Sequence, residues 1–72
     1  MPELIKGNEY ELSVPSLFAR PFTAVIEDIL FEGIENIDPV VILSVPPGDK
    51  QPFMHFSTYG ILKKDVRTAV QI

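Results

Sequence analysis

The sequence predicts an all-β domain, five short antiparallel strands rolled into one small barrel. Three observations carry that expectation. Seven prolines, at positions 2, 15, 21, 39, 46, 47 and 52, interrupt a chain of 72 residues too often for long helices. Between them lie short runs that alternate in polarity or are dominated by β-branched and aromatic residues, as strands are. Finally, Leu12-Ser13-Val14-Pro15 followed by Pro21-Phe22 returns as Leu43-Ser44-Val45-Pro46 followed by Pro52-Phe53, matching at six of eleven positions with an offset of thirty-one. Such an echo implies one strand, loop, strand unit used twice.

The first strand, 9–14, sets Tyr10, Leu12 and Val14 against Glu9, Glu11 and Ser13, a half-buried pattern of period two. The segment 21–32 admits two readings. Phe18, Phe22, Val25, Ile26, Ile29 and Leu30 recur at helical spacing, Pro21 suits a first helical position and Gly33 a stop; this would make the domain α+β with a helix over 21–32. Arg20 is a poor cap, however, and Phe22, Thr23, Val25, Ile26, Ile29 and Phe31 are strand formers. The echo decides for a strand over 22–31, bulged at Glu27-Asp28, because one inserted residue returns Ile29 and Phe31 to the face of Phe22, Ala24 and Ile26. The aliphatic run Val40 to Val45 suits a central strand. Strands over 53–59 and 66–72 complete the set, the last with Val66, Val70 and Ile72 on one side, and Leu62-Lys63-Lys64-Asp65 makes a single helical turn before it.

In strand count and in that turn before the last strand, the layout resembles the Src-homology-3-like and Sm-like barrels. The resemblance is architectural and rests on no family motif, so it carries over no function, cofactor or site residue. Closure of the sheet is expected on physical grounds, since it removes edges that so short a chain cannot cover otherwise.

Seventy-two residues make one domain with one core, spanning 1–72. With no cysteine there is no disulfide and no thiolate chemistry, which suits a reducing compartment. Neither a secretory leader nor a run of about eighteen apolar residues is found, so the expectation is a cytoplasmic protein without a membrane span. The net charge of −4 is unevenly spread. Residues 1–49 hold Lys6 and Arg20 against nine acids, whereas residues 50–72 hold Lys50, Lys63, Lys64 and Arg67 against Asp65 alone. That asymmetry hints at an electrostatic partner surface.

No set of residues supports catalysis. His55 is the only histidine and lies in a strand-like run, with no nucleophile-elbow pattern around any serine. One histidine without cysteine is a poor start on a metal site, and the acids lack calcium-loop spacing. Glu27, Asp28, Glu32, Glu35 and Asp38 read as solvated charge at a bulge and in a turn, and four isolated glycines make no phosphate cradle. No enzyme, metal or cofactor is therefore expected.

Two partner surfaces remain. The loop Pro15 to Pro21 places Leu17 and Phe18 beside Arg20 between two prolines that limit the entropy lost on ordering, and Lys50 lies in its counterpart. Leu17 and Phe18 either form a contact surface or fold back to plug the barrel end. The expectation is a non-enzymatic interaction module acting through protein contacts, self-associating as a homodimer through the edge of its last strand. The alternative is a weak nucleic-acid-binding barrel using Lys63, Lys64 and Arg67 with Tyr59 stacking on a base. Three cations on an acidic chain are few for that task.

Overall fold

The computed structural model describes residues 3–46 and 57–72. Its elements are β1 (Glu9–Ser13), β2 (Phe22–Leu30), β3 (Val40–Val45), β4 (Ser57–Leu62), a 3-10 turn (Lys63–Asp65) and β5 (Thr68–Gln71). All neighbouring strands are antiparallel, and together they form one sheet ordered β4-β3-β2-β1-β5. The segment 21–32 thus holds a strand over Phe22–Leu30, and the helical alternative falls. Its strand formers are bonded to β1 on one side and β3 on the other, a pairing that outweighs a weak helical periodicity.

Tyr10, Leu12, Val14, Ala24, Ile26, Val41 and Leu43 are wholly buried, and Leu4, Val45, Val66 and Ala69 nearly so. Buried residues alternate along β1 and β2, so each turns one face inward; β3 alternates as far as Leu43, beyond which Ser44 and Val45 are buried too. Val45 and Leu12 repeat this geometry on both sides of the sequence echo: Leu12 and Val14 point inward around Ser13 as Leu43 and Val45 do around Ser44. Among the described residues no helix covers the inner face. The sheet buries it by curling over, with half-buried Leu17, Phe18, Phe22, Ile29, Tyr59 and Ile61 packed around the core.

The curl stops short of closure, which corrects the expectation of a complete barrel. Among the described residues β4 bonds only to β3 and β5 only to β1, so both are edges. Closure would need these end strands about 4.8 Å apart. The bulge that drives the curl is where the pattern placed it: Ile26 faces Leu43 and Asp28 faces Ile42, leaving Glu27 as the extra residue. Oδ1 of Asp28 accepts the Ile29 N–H at 2.8 Å, a side-chain acceptor at the point where the ladder is interrupted. Ile29 returns inward opposite Val41, but Phe31 does not follow, because its backbone turns out of the strand at φ 63°.

β1 and β2 each end one residue earlier than expected, and the last two strands differ more. The fourth strand runs over Ser57–Leu62; of the expected 53–59, residues 53–56 lie outside those described. The last strand begins at Thr68, and its apolar residues do not share a side: Val66 is buried while Val70 and Ile72 are exposed. The cause is local. The Val66 N–H closes the 3-10 turn on Lys63 O at 3.1 Å and the Arg67 N–H reaches Ser13 O at 2.8 Å, so regular alternation starts only after them and Ala69 takes the inward place.

Candidate functional site

Pro15 opens a tight turn in which Leu17 and Phe18 N–H groups both donate to Val14 O, at 2.9 and 3.0 Å. Proline suits that position because its φ is already fixed near the required value. The turn carries Leu17 and Phe18 back over the core, where both are half-buried. The Phe18 ring stands edge-on to Phe22 at 4.8 Å and to Tyr59 at 5.6 Å. Arg20, on the same loop, faces solvent. The loop thus divides its candidate residues between core and surface. Lys50 and His55 lie outside the described residues, as does most of the counterpart loop.

Two cations of the basic segment pair at the surface with acids of the connection between β2 and β3. Nζ of Lys63 lies 3.3 Å from Oε2 of Glu32, and Nζ of Lys64 lies 3.2 Å from Oδ2 of Asp38. Charges separated along the sequence are thereby rejoined in space. Each exposed pair contributes at most about 1 kcal/mol, yet two of them tie the connection between β2 and β3 to the turn after β4. Tyr59 is half-buried against Phe18, and the exposed members of the set are Lys64 and Arg67.

What the sequence reading passed over lies at that same end of the sheet. Leu30, Val40 and Leu62 face one another in a row across β2, β3 and β4. From this row the connection 31–39 loops out, and every residue from 31 to 38 is exposed. It reads Phe31-Glu32-Gly33-Ile34-Glu35-Asn36-Ile37-Asp38, an apolar residue, an acid and then Gly or Asn, twice over. Each repeat is a turn: Ile34 N–H approaches Phe31 O at 3.4 Å, and Ile37 N–H approaches Ile34 O at 3.4 Å. Gly33 at φ 79° and Asn36 at φ 64° take the left-handed third positions, conformations that these two residue types adopt most readily.

The result is a patch of large apolar side chains in water. Phe31, Ile34 and Ile37 are each about half exposed, and Leu30 and Leu62 more than a third. The recurrence at three-residue spacing was the available signal. Phe31 is also strained, since a bulky residue at positive φ is an outlier that costs about 1–3 kcal/mol.

Among the described residues no group of three His, Cys, Asp or Glu side chains is placed to hold a metal, and no buried side-chain polar atom lacks a partner. No helix among them is long and apolar enough to cross a membrane. Compared with models of known families, with curated proteins and with solved structures, the chain finds no match in any of the three.

Proposed function

We propose that this chain is a small non-enzymatic interaction module that acts through protein contacts, and that its contact surface is the apolar end formed by Leu30, Phe31, Ile34, Ile37 and Leu62. The single observation that carries the reading is Phe31. A half-exposed aromatic held at φ 63° gives up both hydrophobic and conformational free energy in the isolated chain. Covering it with a partner recovers the first of these. Aromatic anchors ringed by polar residues are the usual centre of protein interfaces, and Glu32, Glu35 and Asp38 supply such a rim here. Pairing of Lys63 and Lys64 with Glu32 and Asp38 weighs against the nucleic-acid alternative, because phosphate would have to compete for cations already engaged.

The test uses Phe31→Asp with Ile34→Asp, both on the exposed connection, and Phe31→Gly, which relieves the left-handed strain. The double variant should keep the strand circular-dichroism signal and lose any protein that the unaltered chain retains from lysate at high salt. Phe31→Gly should melt at an equal or higher temperature and still lose the retained protein. Equal retention by all three chains would end the assignment. A nucleic acid retained at low salt and released by added salt would favour the alternative.

A further inference from the structure

β5 leaves half of its backbone hydrogen-bonding capacity directed away from the sheet. Its register sets Thr68, Ala69, Val70 and Gln71 opposite Ser13, Leu12, Glu11 and Tyr10, and the Ile72 N–H donates to Glu9 O at 3.0 Å. Antiparallel ladders alternate between pairs that exchange hydrogen bonds and pairs that do not. With Ile72 bonded toward β1, Val70 and Thr68 face β1 as well, and the N–H and C=O groups of Ala69 and Gln71 point outward. None of the other described strands lies there.

Edge strands are ordinarily blunted by a charge, a proline or a bulge. The stretch Thr68-Ala69-Val70-Gln71-Ile72 has no charged side chain and no proline, and its ladder with β1 is regular. It carries instead Val70 and Ile72 side by side on the outer face, 61% and 67% exposed, more than any other large apolar side chain among the described residues.

We propose that β5 pairs with β5 of a second copy, antiparallel about a twofold axis through Val70, joining two five-stranded sheets edge to edge. The register follows from the outward groups. Setting Ala69 opposite Gln71 of the second copy, and Gln71 opposite its Ala69, satisfies all four residues. Val70 then meets Val70 of the second copy in the close, unbonded pair between them, and Thr68 meets Ile72.

The twofold register is self-complementary, pairing the outward groups of β5 with their own counterparts and Val70 with Val70, and charge permits a second copy to approach there. The net charge of −4 opposes the approach of two copies in general. β5 itself carries no charged side chain, exposed Arg67 directly precedes it, and Glu11 stands behind Val70 on β1. In the joined sheet two neutral strands separate the Glu11 carboxylates of the two copies, a distance of about 14 Å. That exceeds the Debye length of roughly 8 Å at physiological salt. So short a pairing buries much less than the roughly 1,600 Å² of a standard interface, so the dimer should depend on concentration. The inference deepens the interaction reading by naming the chain itself as a partner, at a surface separate from the apolar end.

The chain has no cysteine, so a single introduced thiol reports on one position. Opposed residues of an unbonded antiparallel pair have Cα atoms about 4.5 Å apart, within disulfide range. Val70→Cys under mild oxidant should give a covalent dimer at least tenfold faster than Ile5→Cys, a half-exposed site elsewhere. Sedimentation of the unaltered chain should show mass rising from one copy to two with concentration. Gln71→Pro removes an outward donor and none of the bonds to β1, so it should fold and weaken self-association at least tenfold. A single-copy mass at every concentration, or Val70→Cys cross-linking no faster than Ile5→Cys, would overturn the proposal. If Gln71→Pro does not fold, the cysteine comparison decides. Either failure leaves the outcome for Phe31→Asp with Ile34→Asp untouched, so the two readings stand or fall apart.

Discussion

The Tyr10 ring has no exposed surface, and its hydroxyl serves two bonds, accepting the Ile5 N–H at 2.9 Å and donating to Glu3 O at 3.1 Å. Through it the segment before β1 is held down, and Leu4 is kept in the core. Gly7 and Asn8 then continue the ladder, Gly7 N–H to Ile26 O at 2.7 Å and Ile26 N–H to Asn8 O at 3.0 Å. Tyr10→Phe keeps the ring and removes both hydroxyl bonds. It should cost about 1–2 kcal/mol in urea unfolding, with the Ile5 amide exchanging faster than before while amides of β3 are unchanged. The alternation of the sequence put Tyr10 inward; the use of its hydroxyl was not visible, because the acceptor and donor are backbone groups that any residue supplies.

At the scale of elements, the connection between β2 and β3 behaves as two consecutive turns with opposite tolerances. Asn36→Gly should change stability by less than about 0.5 kcal/mol, since glycine accepts φ 64° freely. Gly33→Val should cost about 1–2 kcal/mol from backbone strain alone, because nothing lies within 4 Å of an added Cβ there. Thermal melts of the pair separate the two effects. Strands β1, β2 and β3 were legible in the sequence, as was the bulge at Glu27, because each has an alternation or a branched-residue run that only one face can satisfy. The end of β2 at Leu30 and the start of β5 at Thr68 were not, since both depend on where the chain leaves a neighbour. The apolar end escaped for a similar reason. Leu30 and Leu62 meet only through the register with Val40, and Phe31 read as a strand residue until its backbone turned away. The ion pairs of Lys63 and Lys64 likewise join acids some thirty residues distant, which a count of charge along the chain cannot show.

For the whole molecule, the small core makes each covering residue matter. A single core in a domain of this length supplies about 3–5 kcal/mol, and no disulfide supports it. Phe18 covers one end of the curl with its ring against Phe22 and Tyr59, so Phe18→Ala should cost about 2–4 kcal/mol and Phe18→Asp should unfold the chain at 25 °C. A folded Phe18→Asp variant would show that the loop stands clear of the core after all. The order of the strands also sets a sequence of events in folding. Contacts of β2 with β1 and β3, and of β3 with β4, join segments adjacent along the chain, whereas Ser13 and Thr68 come together only when nearly its full length is gathered in. Loop entropy delays such a contact relative to local hairpins. On a ribosome β1 therefore waits, its outer backbone bare, until the last strand has been made, and any other strand that reaches it first competes for the same seat.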